Sequence, residues 1–287
     1  LWGLPFDTDA RMLYLNKDAL ASAGIDKAPA SIDDMAALTD KLTKKSGSAI
    51  SQMGFIPWYG NWFLVGWAWD YGAKLWDPGS NKILLNAPEV VQALEWEVGY
   101  AKKYGAQDLQ SFQQGFQTGG QQPFLTGQVS SMVSGNWILA TIKRYKPDLK
   151  FDVVPAPAPQ GSQPTTWSGG FVLGVPHGTK HQDVAWQLVQ YLGAPEQQTA
   201  FCTALGNLPT NVASAKKIGD GDPMQKRFLD LLPVSHTEPV IPEWSLAWDE
   251  HVAAEQAAIY GKKSAKDALD AANAKVQAEI DKRVKGS

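Results

Sequence analysis

Tryptophan is the feature that most constrains the fold of this chain, because it occurs 12 times in 287 residues. Five of these side chains crowd together as Trp58, Trp62, Trp67, Trp69 and Trp76. Apolar residues stand on more than one side of this stretch, so the pattern predicts a buried helix surrounded by a substantial core. The helical tryptophans without polar neighbours are assigned to the core: Trp67, Trp69, Trp96 and Trp186.

Other tryptophans stand beside glycine, asparagine or serine. Trp137 lies in S-G-N-W, Trp167 in T-T-W-S-G-G, and Trp244 with Trp248 in P-E-W-S-L-A-W-D-E. An indole offers a flat apolar face and one N–H donor, which suits the C–H face and hydroxyl rim of a pyranose. A single tryptophan is more often packing, so the sugar interpretation depends on this clustering.

Composition excludes several classes of protein. The formal net charge is −3 and the basic residues are scattered, so there is no basic stripe for nucleic acid or anionic lipid. No run of about 18 apolar residues is present that could span a membrane. Cys202 is the single cysteine, which excludes a disulfide framework and a cysteine-rich metal site.

The sequence carries no recognisable catalytic motif. His177 and His181 are four residues apart, but Gly178 lies between them and no H-E-x-x-H pattern is present, so both are interpreted as surface residues. Asp7 and Asp9 share a face if the chain is extended, and ionised carboxylates accept strongly from sugar hydroxyls. They are predicted to bind ligand, and no catalytic group, metal or cofactor is predicted.

Strand and helix signals alternate, which is typical of the α/β class. Strands are predicted at 12–14, 128–133, 151–154 and 171–175. Helices are predicted after Asn16, after a Ser31–Asp34 capping box, from Asn86 to Gly105, at 138–144, 182–192, 195–205 and 245–261, and after a second capping box of Ser264 and Asp267.

Four segments in order resemble the extracellular solute-binding proteins of sugar ABC importers, the maltose-binding-protein-like family 1. They are P-F-D-T-D-A-R-M-L-Y-L-N-K-D-A-L-A-S-A-G, F-L-T-G-Q-V-S-S-M-V-S-G-N-W, W-S-G-G-F-V-L-G-V-P and Y-G-K-K-S-A-K-D-A-L. The asparagine, lysine and aspartate at 16–18 are among the more specific marks. The resemblance covers essentially the whole chain.

The resemblance implies a two-lobed periplasmic-binding-protein-like fold with the ligand cleft between the lobes. By analogy, residues 1–7 are a hinge-crossing segment, 8–165 and 213–287 form the second lobe, and 168–212 belong to the first. Family members begin with a further half-lobe, so the first lobe is expected to be incomplete here and the gene product to extend upstream of Leu1. Helices near 182–205 are then expected to expose apolar faces.

The resemblance also suggests which residues contact ligand. These are Asp7 and Asp9 on the crossing segment, Trp58, Tyr59 and Trp62 in the aromatic loop, Trp137 after the strand, Ser168, Gly169 and Gly170 on the second crossing, and Trp244 and Trp248 in the tail.

The function implied is that of a non-enzymatic receptor that binds a mono- or oligosaccharide and delivers it to a membrane permease. It would be a monomer in the periplasm or outside the cell, free or lipid-anchored through a segment ahead of Leu1. A glycoside-processing enzyme is one alternative, and it requires two carboxylates facing each other across the cleft. A binder of a cationic, peptide or metal ligand is the other, kept open by acidic residues near tryptophans: Asp70, Asp77, Glu243 and Asp249.

Overall fold

Strands and helices alternate along the computed structural model, which describes residues 3–47 and 49–286. The strands are β1 Leu4–Thr8, β2 Arg11–Asn16, β3 Lys44–Ser46, β4 Ala49–Gln52, β5 Trp76–Asp77, β6 Lys82–Ile83, β7 Ser131–Gly135, β8 Phe151–Val154, β9 Thr166–Trp167, β10 Gly170–Leu173, β11 Leu208–Pro209 and β12 Ser235–His236. The helices are α1 Lys17–Ser22, α2 Ile32–Leu42, α3 Phe63–Asp70, α4 Pro88–Tyr104, α5 Ala106–Gln113, α6 Pro123–Thr126, α7 Ile138–Tyr145, α8 Gln182–Leu192, α9 Pro195–Leu205, α10 Val212–Gly221, α11 Pro223–Leu231, α12 Trp244–Ile259 and α13 Ala265–Gly286.

Most of the local signals in the sequence are confirmed. The Ser31 hydroxyl accepts from the Asp34 amide, and the Asp34 carboxylate accepts from the Ser31 amide, which is the predicted capping box of α2. Helix α4 begins at Pro88 and ends before Gly105. Asn86 is not its cap, however, because Ala87 takes that position while the Asn86 amide donates to Asp270 at 2.7 Å.

Two further local predictions are corrected by hydrogen bonding. Ser264 accepts from the Asp267 amide at 3.1 Å, as the predicted capping box requires. The Asp267 carboxylate, however, accepts from the Ser264 hydroxyl, whereas a capping box has it accept from the Ser264 amide. The strand predicted at 128–133 is displaced to Ser131–Gly135, where it pairs with β2. Residues 129 and 130 instead bond to Pro123 and Met53.

Two three-stranded sheets organise the chain. In the first, β1 lies between β10 and β11 with antiparallel pairing, and α8 and α9 pack against it. In the second, β2 lies between β7 and β8, also antiparallel. All six residues of β2 are buried, and α3, α4, α12 and α13 enclose a core in the same part of the chain. The division of the chain into lobes by residue number stays a prediction.

Two neighbouring segments lead out of the first sheet. Residues 9 and 10 link β1 to β2 of the second sheet, and residues 168 and 169 link β10 to β9, which pairs with β12 and lies beside β2. Thr166 joins these crossings, because its hydroxyl accepts from the Arg11 amide at 2.8 Å and donates to the Arg11 carbonyl at 2.9 Å. Any group carried by one crossing is therefore held in register with the other.

The first sheet leaves apolar side chains exposed, as expected from the sequence. On β10, Phe171 is 72% exposed, and on α8 Val184 and Tyr191 are 63% and 60% exposed. Trp186 is half-buried rather than part of the core, because α8 is covered on one side only. Trp96 is also half-buried and packs at the edge of the core, with its ring centroid 4.8 Å from that of Trp67.

Candidate functional site

Arg11, the first residue of β2, is the centre of the polar contacts at the crossings. Its Nη1 atom donates to the Asp9 carboxylate and, at 2.8 Å, to the carbonyl of Trp167. Its Nε atom donates to Oδ1 of Asn61 at 3.1 Å. The guanidinium is thereby fixed by groups from both crossings and from the loop that precedes α3.

Two indoles hold the Arg11 guanidinium by cation–π contacts. The guanidinium carbon lies 4.2 Å from the ring centroid of Trp167 and 5.4 Å from that of Trp137. Trp137 can fold back towards β7 because residue 135 is glycine, where a Cβ would collide with its ring. We call Asp9, Arg11, Asn61, Trp137 and Trp167 the Arg11 cluster.

Burial and neighbouring charge oppose each other at this cluster. Burial lowers the pKa of Arg11, and the charges of Asp9 and Glu238 raise it again. An arginine in a protein keeps its proton under these conditions. Glu238 also accepts from the indole N–H of Trp244 at 2.7 Å. The guanidinium is therefore flanked by negative charge and presents no isolated positive charge to a ligand.

Further aromatic rings continue from Trp167. Its ring centroid lies 5.7 Å from that of Trp248 and 6.2 Å from that of Phe63, and Phe63 and Trp248 lie 5.3 Å apart. His251 packs edge-on to Trp248 at 4.7 Å, and burial lowers the pKa of His251 to about 4. The imidazole is therefore neutral at physiological pH and acts as an apolar support for the Trp248 ring.

The two predicted aspartates make different contacts. Asp9 accepts from the Gly169 amide at 2.8 Å as well as from Arg11. Asp7 is 4% exposed and accepts from the Phe171 amide and the Asn207 side chain, so it holds the strands of the first sheet together. Burial raises its pKa. Strand β1 ends at Thr8, so the alternation of side chains that would place Asp7 and Asp9 on one face of the strand does not extend to residue 9.

The second crossing contains the predicted Ser168, Gly169 and Gly170. Ser168 shares a hydrogen bond of 2.9 Å with the Thr8 hydroxyl. Gly170 has φ 134°, and a Cβ there would collide with the backbone of β1. The close approach inferred from the sequence is thus made to a neighbouring strand, whereas Gly169 lies exposed beside Asp9.

The predicted aromatic residues divide between the core and the neighbourhood of the cluster. Trp62 is 1% exposed and its indole N–H donates to Asp70 at 3.2 Å, which places Trp62 in the core. Tyr59 packs on Phe116, and burial raises its pKa to about 12. Trp58 is half-buried and donates to Gln113 at 3.0 Å. In the described parts of the chain, none of these three side chains makes a hydrogen bond or a cation–π contact with Arg11.

The tail tryptophans lie nearer to the cluster. Trp244 is largely buried and is tied to Glu238. Trp248 is half-buried and touches Trp167.

Four residues at or beside the cluster were not predicted as site residues: Arg11, Asn61, Trp167 and Glu238. Arg11 follows Asp7 and Asp9 at the same two-residue spacing, and that spacing together with the cationic side chain is the signal that could have identified it.

The acidic residues considered for a cationic ligand do not gather at one site. Asp70 is buried in the core, where burial raises its pKa well above the usual value. Asp77 caps the turn before β6 by accepting from Gly79 and Ser80, and Glu243 pairs with Arg283. His177 and His181 are exposed. Within residues 3–47 and 49–286 no group of three or more potential ligands is placed to hold a metal ion.

A cavity of about 960 Å³ adjoins the cluster at Trp137, but its other walls come from α7, α9, α10 and Gln225.

The cluster itself offers planar aromatic faces beside amide, carboxylate and guanidinium groups. Such a surface can stack on an apolar ring and exchange several hydrogen bonds with its substituents. It suits a polyhydroxylated neutral molecule.

Comparison with known proteins gives a consistent result. The profile of the family described as "Bacterial extracellular solute-binding protein" matches residues 1–226. A candidate binding protein of Brucella abortus is 27% identical over 98% of this chain and 68% of its own length. The maltodextrin-binding protein MdxE of Bacillus subtilis is 27% identical over 95% of this chain and 66% of its own length.

Solved structures show the same fold. The mannobiose-bound structure of CpMnBP1 superposes with a TM-score of 0.87 at 30% identity, covering 96% of this chain and 71% of that one. Maltose-bound MalE3 of T. maritima has a TM-score of 0.79 at 21% identity, covering 96% and 72%. The predicted two-lobed α/β fold class is confirmed. Among the residues that the structure describes, no helix is both long and apolar enough to cross a membrane.

Proposed function

Because this chain belongs to the bacterial extracellular solute-binding protein family, we propose that it is the substrate-binding component of an ABC importer. It binds a neutral saccharide at the Arg11 cluster, closes around it and presents it to a membrane permease. It acts outside the cytoplasmic membrane as a monomer. Attachment to the membrane by a lipid stays a prediction.

One observation carries the proposal: an arginine neutralised by a carboxylate lies directly under two indoles. The guanidinium of Arg11 is occupied on one side by Asp9 and Trp167, so it serves as a rigid donor with little net charge. A sugar stacked on the half-buried Trp137 ring finds donors and acceptors around its rim. This arrangement favours a neutral ligand over a cation, because the Asp9 carboxylate that could attract a cation is already paired with Arg11.

The names of similar proteins support an oligosaccharide as the ligand. One structure at 30% identity holds mannobiose and another holds mannotriose, and a relative at 27% identity is named for maltodextrin. We therefore take short mannose- or glucose-based oligosaccharides as the ligand class. The choice between the two is left to measurement.

An enzymatic function requires a carboxylic acid that protonates the leaving group and a second carboxylate across the bond. Asp9 and Glu238 are the carboxylates closest to this requirement, since both act on Arg11. Asp9 already accepts from Arg11 and Gly169, and Glu238 accepts from Trp244. Both therefore serve as acceptors that position neighbouring groups, which fits binding without turnover.

Titration calorimetry with mannobiose, mannotriose, maltose and maltotriose tests the proposal, followed by chromatography of the recovered sugar. We expect at least one sugar to bind and to be returned intact. Arg11→Ala should weaken binding about 100-fold or more, because it removes a buried anchor and leaves Asp9 unpaired. Arg227→Ala, at an exposed position on α11 where the side chain pairs with Asp152, is the matched control and should bind like the wild type.

Product that accumulates in proportion to protein concentration would replace the receptor with an enzyme. Failure of every sugar in the panel to bind, with the protein folded, would remove the saccharide function altogether.

A further inference from the structure

The cavity of about 960 Å³ that adjoins Trp137 is not accounted for by a neutral saccharide at the Arg11 cluster. One wall is helix α7, which follows β7 of the second sheet. The facing walls are α9 and α10, which pack on each other and on β11 of the first sheet. The volume lies within the range of small-molecule sites. A ligand in this cavity would therefore contact elements attached to both sheets.

Helix α9 is held at a fixed distance from α7 where both line the cavity. Gly206 follows α9 with φ 75°, and a Cβ at this position would press on Ala140 of α7. The Gly206 carbonyl accepts from Nδ2 of buried Asn136 at 2.6 Å, and Oδ1 of Asn136 accepts from the Ala10 amide at 2.9 Å. The cavity is therefore preformed, because its two walls are tied to each other and to the crossing segment beside Arg11.

Cationic side chains line this cavity without carboxylate partners. They are Lys143 and Arg144 of α7 and Lys217 of α10, and within residues 3–47 and 49–286 none of the three forms an ion pair. Asp222 supplies a carboxylate to the lining, and its Oδ1 accepts from the Met224 and Gln225 amides at the start of α11. Three cations and one carboxylate leave an excess of two positive charges, which favours a doubly charged anion.

A buried amide in the α11 wall indicates that the anion also carries a hydrogen-bond donor. Gln225 lines the cavity and is 5% exposed, yet its Oε1 atom has no hydrogen-bond partner among the residues that the structure describes. Buried acceptors are normally satisfied, and an unsatisfied one destabilises the protein. A ligand hydroxyl at Gln225 would supply the missing donor.

We propose that this cavity binds a phosphomonoester of a small polyhydroxylated molecule. The phosphate, whose charge is about −1.5 to −2 near neutral pH, lies among Lys143, Arg144 and Lys217. A hydroxyl of the ligand donates to Gln225, and its carbon skeleton packs against Leu205, an exposed apolar side chain of the lining. The site is separate from the Arg11 cluster, and the inference does not depend on the saccharide-binding function proposed above.

The test is titration calorimetry with glucose 6-phosphate and ribose 5-phosphate in phosphate-free buffer of low ionic strength. We expect at least one of them to bind wild-type protein. Lys143→Gln/Lys217→Gln should weaken this binding about tenfold or more for each charged hydrogen bond removed. Lys102→Gln/Lys180→Gln makes the same change of charge at exposed positions outside the cavity, and should bind the phosphomonoester like the wild type.

A second variant tests the predicted hydroxyl contact. Gln225→Met keeps a similar side-chain volume and removes the amide, so it should weaken binding of the phosphomonoester about threefold to tenfold. The same variant should bind inorganic phosphate as the wild type does, because inorganic phosphate carries no carbon skeleton that places a hydroxyl at Gln225. Chemical denaturation of each variant verifies that the protein is folded.

The possible outcomes separate this inference from the proposed function. If neither phosphomonoester binds to folded wild-type protein, or if binding survives in Lys143→Gln/Lys217→Gln, the site is refuted and the saccharide receptor stands. Equal weakening in the Lys102→Gln/Lys180→Gln control would also refute it, because net charge alone would then attract the anion. Unchanged binding of both phosphomonoesters by Gln225→Met would overturn the predicted contact and with it the ligand class. The affinity for mannobiose should be the same in Lys143→Gln/Lys217→Gln as in the wild type, and failure of every neutral sugar to bind would remove only the function proposed above.

Discussion

The core around α3 and the crossings around Arg11 use tryptophan in contrasting ways. In the core, the indole N–H of Trp67 donates to the carbonyl of Pro57 at 3.1 Å, and the ring packs against Phe55 and Trp62. At the crossings, the rings of Trp137 and Trp167 lie against a guanidinium. The first arrangement satisfies the tryptophan internally, and the second combines aromatic faces with charged hydrogen-bonding groups.

The acidic side chains of the two regions also differ in whether they have a partner. In the described parts of the chain the core holds Asp70 and Glu97 without an ion pair to a cation, and burial raises the pKa of both well above the usual value. At the crossings, Asp9 is paired with Arg11. A carboxyl beside a tryptophan therefore indicates a binding surface only where it is paired with a cation or a backbone amide, as Asp9 is.

The largest expected effect tests the structural half of this comparison. Trp67→Ala should lower the free energy of unfolding by about 3–5 kcal/mol, because it removes a fully buried ring from a packed core. Trp67→Phe keeps most of the ring volume and should cost much less. Chemical denaturation measures stability, and calorimetry on the folded fraction should show unchanged sugar affinity. A large loss of affinity in folded Trp67→Ala protein would connect the core directly to the site.

The next effect concerns the buried carboxyl pair. Burial raises the pKa of Glu255 from 4.5 to about 7. Between these values the unfolded chain has lost a proton that the folded protein keeps, so stability falls as pH rises from about 4.5 to about 7. Glu255→Gln removes this dependence and should gain up to about 3 kcal/mol relative to the wild type by neutral pH.

The difference between the two unfolding curves reports the Glu255–Glu97 pair, because the charge of Glu255 also raises the pKa of Glu97. Buried His251, with a pKa lowered to about 4, contributes the opposite slope in both proteins, because the unfolded imidazole binds a proton below pH 6.5. Glu279→Gln, at a position in an exposed i,i+3 pair with Lys282, is the control and should leave the slope unchanged. Parallel curves for wild type and Glu255→Gln would show that Glu255 titrates normally.

Local signals predicted the elements well because each depends on neighbouring residues. The Ser31–Asp34 capping box and the Pro88 and Gly105 boundaries are properties of a few consecutive side chains. The helices at 182–192 and 195–205 follow from apolar spacing in the same way. The two-lobed fold class required the order of four motifs, which the family resemblance supplied.

The site was less predictable because its contacts join distant parts of the chain. Arg11 meets Asn61, Trp137 and Trp167 only after the sheets have formed. Asp7 and Asp9 follow one pattern in the sequence, yet β1 ends between them and they make different contacts. Trp62 and Trp137 both stand near glycine and asparagine, and only their tertiary partners separate the core residue from the surface residue.

The smallest expected effect tests the functional half of the comparison. Trp137→Ala should weaken binding of the tightest sugar by about 1–3 kcal/mol, the scale of one aromatic face against an apolar ligand surface. Its stability should change less than that of Trp67→Ala, because Trp137 is half-buried and its ring lies over Gly135 at the end of β7. Trp137→Phe should recover part of the affinity, since a smaller ring can still stack. The two tryptophan populations are distinct only if calorimetry and denaturation separate the two alanine variants, one losing affinity and the other losing stability. Equal losses of both quantities in both variants would mean that the crossings and the core form one cooperative unit.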